Sequence, residues 1–137
     1  MNTVNLTPDL YWLALTGLMT ALLWAPHILS IIIKEGVITA FYDPEALIEP
    51  QPRWAQRAKR AHINAQLNFG IFAGLIITAH LAGVDPARLG LLAMIYFFVR
   101  LAHYVAYTLG IPFLRPNLFA VGAVVQVLIA VNILQAF

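Results

Sequence analysis

Residues 57–68, RAKRAHINAQLN, place basic and polar side chains directly before an apolar segment of the chain. Arg60, Asn64 and Asn68 follow one another at intervals of four residues, which puts their side chains on one face of a helix. Polar residues at a bilayer boundary usually have a polar partner or a function. This stretch therefore predicts a helix that enters an apolar layer with a polar stripe on one side.

The composition indicates an integral membrane protein with a single domain, residues 1–137. Of its 137 residues, 61% are hydrophobic and 10% are charged, whereas soluble domains carry roughly 25% charged residues. The absence of cysteine excludes disulfides, thiolate metal sites and a cysteine nucleophile. A net charge of +2 is too small to indicate a nucleic-acid partner.

Hydropathy and breaker residues predict an antiparallel bundle of four transmembrane helices. Residues 10–33 are uncharged and as a helix would span about 36 Å, enough for a hydrocarbon core of about 30 Å. Pro26 lies within this helix and is expected to kink it. Residues 36–52 read as a connector, and the other connectors are short, which favours antiparallel neighbours. The predicted helices cover approximately residues 9–34, 53–84, 87–109 and 116–137.

The distribution of positive charge predicts an orientation. By the positive-inside rule, the side with more Lys and Arg is cytoplasmic. The first and third connectors then face the cytoplasm, and both termini lie on the opposite face, where Arg88 is the basic residue. The basic residues on the predicted cytoplasmic side are Lys34, Arg53, Arg57, Lys59, Arg60 and Arg115.

The third predicted helix carries a polar face in its apolar surroundings. Its members follow the i, i+3, i+4, i+7 pattern of one helix face and are Arg100, His103, Tyr104 and Tyr107. An arginine at mid-membrane costs at least about 2.5–3.5 kcal/mol if it faces lipid, so Arg100 should face the bundle and have a partner. The candidate partners are backbone carbonyls, an anionic ligand, or the side chains of Asn64, Gln66 and Asn68.

The predicted topology brings polar residues of three helices to a similar depth. Arg115 precedes the last helix, where free N–H groups and the helix dipole favour an anion. We therefore expect a cytoplasm-facing cleft suited to a small polar anion beside a lipophilic molecule. Its expected residues are Arg60, Asn64, Arg100, His103, Tyr107 and Arg115.

Two motifs resemble those of a known family. The run Arg-Ala-(His/Gln)-x-Asn-x-x-Glu corresponds to residues 60–67 except at its last position, and Arg-x-x-(His/Tyr)-x-x-x-Tyr matches residues 100–107. A basic residue before the last helix is present as Arg115. With these motifs and four helices, the chain resembles the MAPEG superfamily, the membrane-associated proteins in eicosanoid and glutathione metabolism, over nearly its whole length.

The resemblance implies a homotrimer with glutathione bound between protomers and a glutathione transferase or peroxidase activity on lipophilic electrophiles. Self-association, membrane lipids and a lipophilic small molecule are thus the expected partners. Arg100 and Tyr107 would be the catalytic residues that stabilise the thiolate. The glutathione-binding residues would be Arg60, Asn64, Asn68, His103, Tyr107 and Arg115.

Two positions depart from the family pattern: Gly70 stands where relatives often have Pro, and the departure at residue 67 is the more serious one. Leu67 stands where the motif has Glu, so the carboxylate that would meet the glutathione amino group is missing. An unpaired ammonium in a dry site is costly, and Gln66 and Asn68 are each rotated by about 100° around the helix. The alternative is a non-catalytic MAPEG-like protein that binds a lipid or another anionic ligand.

Two further functions receive less support from the sequence. Haem ligation needs paired histidines, and His27 with His103 is a conceivable pair, but neither has a second histidine at helical spacing. Hydrogen bonding within the bundle is the favoured role for the histidines His27, His62, His80 and His103. A transporter would be expected to carry an acidic relay within its helices, and these helices have none in their interiors.

Overall fold

The computed structural model describes residues 6–42 and 50–136, and the regular structure within them is entirely helical. This confirms the predicted all-α fold class. Residues 43–49 of the predicted first connector lie outside the described residues. The helical segments are α1 (Pro8–Leu22), α2 (Ala25–Tyr42), α3 (Arg53–Leu81), α4 (Pro86–Leu109) and α5 (Leu114–Leu134).

The first predicted helix is divided in the structure. Its interruption falls at Leu23 and Trp24, between α1 and α2. Pro26 has no backbone N–H, and its ring clashes with the carbonyl four residues earlier in a regular helix. That carbonyl belongs to Leu22, the last residue of α1. The distortion expected from Pro26 is therefore present one turn before the proline.

A second irregularity lies inside α2. Gly36 has φ 85° and ψ 164°, a backbone conformation that glycine adopts without the penalty of a side chain. The connector was predicted to begin at this residue. The structure instead resumes helical conformation and continues to Tyr42, so α2 extends beyond the predicted end at residue 34 after a bend.

The remaining helix ends follow from local sequence. Gly83 and Gly110 have φ 73° and 76°, the left-handed conformation that commonly follows a helix, and they terminate α3 and α4. The Asp85 carboxylate accepts hydrogen bonds from the backbone N–H groups of Ala87 (3.2 Å) and Arg88 (3.3 Å). This N-cap starts α4 immediately after the turn.

Helix α4 lies at the centre of the packing, in contact with α1, α3 and α5. Phe72 of α3 stacks on Tyr96 of α4 with ring centroids 4.0 Å apart. At the start of α1, the buried Asp9 accepts a 2.8 Å hydrogen bond from Nδ1 of His80 and so joins α1 to the end of α3. The main core consists of Phe72, Ile76, Ala79, Leu89, Ala93, Tyr96, Val125, Ile129 and Ile133.

Three helical stretches among the described residues are long and apolar enough to cross a membrane. They are Pro8–Tyr42, Pro86–Leu109 and Leu114–Leu134. Helix α3 is outside this set: its first half is basic, and polar residues that include Asn64, Asn68 and His80 interrupt the apolar remainder. The stretches agree with the predicted integral membrane protein, and the sidedness of the connectors stays a prediction.

Candidate functional site

A polar concavity opens where α3, α4 and α5 meet. It has a volume of about 320 Å³ and is called the polar cavity below. Its lining contains predicted site residues from all three helices, together with residues of α5 that the motifs did not indicate. The lining residues are Asn64, His103, Tyr107, Arg115, Pro116 and Phe119.

Arg100 lies behind the polar cavity and is bonded to one of its walls. Its Nη2 donates a 2.7 Å hydrogen bond to Oδ1 of Asn64, and the residue is 3% exposed. Asn64 was one of the partners predicted for this arginine. Because its oxygen is engaged, the Asn64 amide retains its N–H groups as the donors that a ligand could use.

His103 and Tyr107 form the α4 wall of the polar cavity. His103 is 2% exposed, and its ring lies 5.8 Å from that of Tyr107 and 6.1 Å from that of Phe119, between centroids. The imidazole is thus fixed by aromatic packing on two sides. Tyr107 is half-buried, and its hydroxyl is a hydrogen-bond donor of the kind that an anion accepts.

Arg115 supplies the positive charge of the polar cavity. Its guanidinium carbon lies 4.7 Å from the centroid of the Tyr107 ring, a cation–π arrangement that restrains an otherwise exposed side chain. Arg115 also stands in the first turn of α5, which begins at Leu114. The helix N-terminus adds positive potential at the same place, so the cavity suits an anion.

Two predicted binding residues do not line the polar cavity. Arg60 lies instead in a separate concavity with Arg53, Gln56 and Arg57. Asn68 donates from Nδ2 to the backbone oxygen of Asn64 at 2.9 Å, a bond within its own helix. The spacing that puts Arg60, Asn64 and Asn68 on one stripe of α3 is correct, but the stripe extends beyond one cavity.

Leu67, the departure from the motif, is a surface residue. It is 70% exposed and does not line the polar cavity within the described chain. Because the side chain is leucine, this position provides no carboxylate to a ligand of the polar cavity.

The motifs did not indicate three residues of α5, two that line the polar cavity and one that bonds α5 to its neighbours. Pro116 and Phe119 line the polar cavity. Gln126 donates from Nε2 to the backbone oxygen of Asn68 (3.1 Å) and to the Tyr96 hydroxyl (3.2 Å). The spacing of four residues between Arg115 and Phe119 was the available signal for Phe119, and no motif marked Gln126.

The remaining polar candidates have contacts elsewhere. Tyr104 is 7% exposed, and its hydroxyl donates to the backbone oxygen of Leu23 at 3.0 Å, so it joins α4 to the break between α1 and α2. The ring of His27 lies 5.9 Å from that of His62, whereas His27 with His103 was the pair considered for haem. Residues 6–42 and 50–136 contain no group of three or more side chains suited to hold a metal ion.

The helices define a helical membrane protein, and a polar cavity lined by one arginine opens where α3, α4 and α5 meet. A comparison with protein families matches the MAPEG family over residues 10–135, nearly the whole chain. The chain belongs to the MAPEG family, which confirms the resemblance seen in its motifs. No curated protein matches the sequence closely enough to name a relative.

Proposed function

We propose that the protein is a glutathione transferase that binds glutathione in the polar cavity and joins its sulfur to lipophilic electrophiles. The observation that carries the proposal is the convergence of Arg115, Tyr107 and His103 on one concavity with Asn64. These residues come from three helices, and they supply a cation, a hydroxyl and an amide to the same space.

The chemistry requires a thiolate at neutral pH. A thiol with a reference pKa near 8.5 ionises more readily beside a cation, and Arg115 provides that cation. Guanidinium stays protonated and cannot serve as the base, so the thiol proton passes to solvent. Tyr107 then donates a hydrogen bond to the sulfur, which attacks the electrophilic carbon; a C–S bond forms as the leaving group departs with its electron pair. A peroxidase activity would use the same thiolate: its sulfur attacks the outer oxygen of a lipid hydroperoxide, the O–O bond breaks, and the lipid leaves as an alcohol after taking up a proton. A second glutathione then converts the sulfenic acid to a disulfide and water.

A separate apolar groove offers a surface for a lipophilic molecule. It has a volume of about 500 Å³ and includes Leu114, the residue before Arg115, while Leu101 and Val105 place it on the face of α4 that points away from His103. A molecule dissolved in the bilayer could reach it without crossing water. The groove is lined by Phe98, Leu101, Ala102, Val105, Ala106, Ile111 and Leu114.

The same proposal includes a homotrimer of antiparallel four-helix protomers, with α1 and α2 acting as the first helix and α3 as another span. Arg115 and Phe119 are exposed, so the polar cavity is open on a side that a second copy would close. A Cβ atom added at Gly70 or Gly74 of α3 would meet nothing within 4 Å. Small exposed residues of this kind let helices of neighbouring subunits approach closely.

A second candidate function is the binding of a lipid or another anion without catalysis. Leu67 favours it because the glutathione ammonium would lack a carboxylate partner. Ile71, one turn further along α3, is also exposed, so the surface beside the polar cavity is apolar. An amphipathic anion could place its charged group near Arg115 and its chain along Leu67 and Ile71.

Calorimetry on the detergent-purified chain separates these functions. We expect saturable glutathione binding that Arg115→Ala abolishes and that Arg88→Ala, a matched loss of charge on another surface, leaves unchanged. Binding only after Leu67→Glu would show that the cavity persists and that its natural ligand lacks an ammonium. No binding by either the natural chain or Leu67→Glu would contradict the glutathione proposal.

A further inference from the structure

We propose that His27 of α2 and His62 of α3 form a binding site for one monovalent copper ion. Both side chains are 9% exposed, and their ring centroids lie 5.9 Å apart. Neither histidine lines the polar cavity. His62 is two residues from Arg60 and from Asn64, about 200° around the helix. The pair therefore lies on the other side of α3 from the polar stripe and stands apart from the proposed transferase function.

Each of the two rings has a buried nitrogen without a hydrogen-bond partner among the described residues. The two atoms are Nδ1 of His27 and Nε2 of His62. A buried polar atom costs free energy unless a protein group, a water or a metal satisfies it. Because these two nitrogens are not bonded to each other, one small species between the rings would satisfy both.

The second nitrogen of His62 is held by α1. His62 hydrogen-bonds to the backbone oxygen of Thr20, and since Nε2 has no partner, the donor is Nδ1. A neutral imidazole that donates from Nδ1 keeps its lone pair on Nε2. Metal-ligating histidines typically donate their other nitrogen to a backbone carbonyl or carboxylate in this way. The His62 ring therefore has the tautomer of a metal ligand before an ion arrives.

Two hydrogen bonds hold α2 against the residues that precede α3. Ser30, one turn after His27, donates from Oγ to Oε1 of Gln51 at 2.7 Å. Lys34 donates from Nζ to the backbone oxygen of Pro50 at 3.3 Å. The contact between α2 and α3 is thus fixed by groups other than the two histidines, and a site on fixed elements binds a metal without further ordering.

The ligand set and the neighbouring charge favour Cu(I) over a divalent ion. Imidazole binds zinc, copper, iron and nickel, but zinc sites use three or four protein ligands, and residues 6–42 and 50–136 contain no group of three His, Cys, Asp or Glu. Cu(I) has a filled d shell and is stable with two ligands on opposite sides. The Lys59 ammonium acts on His27 through its charge, which disfavours a divalent ion more than a monovalent one.

The separation of the rings agrees with two imidazoles on one ion. Metal–nitrogen bonds to histidine are about 2.0–2.1 Å long, so rings on opposite sides of one ion have centroids roughly 6 Å apart. The centroids of His27 and His62 are 5.9 Å apart. Thiolate, the side chain that would compete best for Cu(I), is absent because the chain has no cysteine.

The first test is competition for Cu(I) between ferrozine, a chromophoric chelator, and the full chain in detergent, purified without a histidine tag. We expect the chain to take one equivalent of Cu(I) per protomer. His27→Gln and His62→Gln should each weaken the affinity at least about tenfold, whereas His80→Gln, a matched loss of one imidazole elsewhere on α3, should leave it unchanged. A natural chain that leaves the ion with ferrozine, or equal weakening by all three variants, would overturn the proposal.

A methionine variant separates ligation from an effect on the fold. Thioether sulfur is also a ligand for Cu(I), so His27→Met should retain more affinity than His27→Gln, although both variants remove the imidazole. Equal losses in these two variants would contradict direct ligation at position 27.

X-ray absorption of the copper-loaded natural chain tests the site without any substitution. We expect two nitrogen ligands at about 2 Å. A sulfur ligand, or three or more ligands, would place the ion elsewhere and refute the site. Glutathione is omitted from all of these experiments, so their failure would leave the transferase proposal standing, and a failure of glutathione binding would leave this site standing.

Discussion

Arg100 and Asn64 form a hydrogen bond of 2.7 Å between α4 and α3, and through it a buried cation supports a wall of the polar cavity. An arginine in the middle of a membrane helix needs hydrogen-bond acceptors, and the Asn64 side chain is one of them. Because this acceptor is a neutral amide oxygen, it does not neutralise the charge of Arg100 near the polar cavity.

The Asn64 amide should matter more for stability than the nearby Asn68 amide. Asn64→Ala leaves the buried Arg100 without this acceptor, and hydrogen bonds to charged groups contribute about 1.5–3 kcal/mol. Asn68→Ala removes a bond to a backbone oxygen of the same helix, and we expect a loss of about 1 kcal/mol or less. Thermal unfolding in detergent measures both; equal losses would contradict the role given to the Arg100 bond.

Substitutions at Tyr104 and Tyr107 should affect different properties: stability at Tyr104 and activity at Tyr107. Tyr104→Phe removes the bond to the Leu23 carbonyl and should lower the free energy of unfolding by about 1 kcal/mol without changing glutathione affinity. Tyr107→Phe should leave stability nearly unchanged and reduce turnover of a lipophilic electrophile. Denaturation and steady-state kinetics on both variants test this, and the opposite assignment of effects would refute it.

The Phe72–Tyr96 stack should anchor the core. Phe72 is fully buried, and Phe72→Ala should destabilise the chain by about 3–5 kcal/mol through lost packing and a residual cavity. Phe113→Ala is the control, because Phe113 is 83% exposed. Chemical denaturation that finds similar effects for the two variants would argue against this packing.

Two glycines should respond differently to the same added methyl group. A Cβ atom at Gly90 would lie 2.5 Å from Cβ of Pro8, so Gly90→Ala should force α1 from α4 and cost about 1–3 kcal/mol. Gly74→Ala, where nothing lies within 4 Å, should leave the protomer stable. Thermal unfolding of the monodisperse proteins provides the comparison, and a neutral Gly90→Ala would contradict the close approach of α1 to α4.

Sequence reasoning located the polar residues but not all of their partners. Helical spacing placed His103 and Tyr107 on one face, and charge cost required a partner for Arg100. Spacing along one helix does not give the rotation of neighbouring helices about their axes, and that rotation leaves Arg60 in the separate concavity with Arg53, Gln56 and Arg57. It also turns Tyr104 toward Leu23, a backbone acceptor that no side-chain pattern reveals.

Some helix ends can be predicted from a single residue, and others cannot. Gly83 and Gly110 end their helices through backbone conformation, which a single residue type can indicate. Gly36 produces only a bend, and α2 continues beyond it. Residue type alone therefore does not show whether a helix stops at a glycine or resumes after it.

Gln126 joins three helices through one amide, with bonds to the Asn68 carbonyl on α3 and the Tyr96 hydroxyl on α4. Sliding α5 along its axis would stretch both bonds at once. Arg115 lies on the same helix, about 16 Å from Gln126 along its axis. The amide therefore sets the register of α5 from a distance, and the height of the Arg115 guanidinium in the polar cavity is determined in the middle of the bundle.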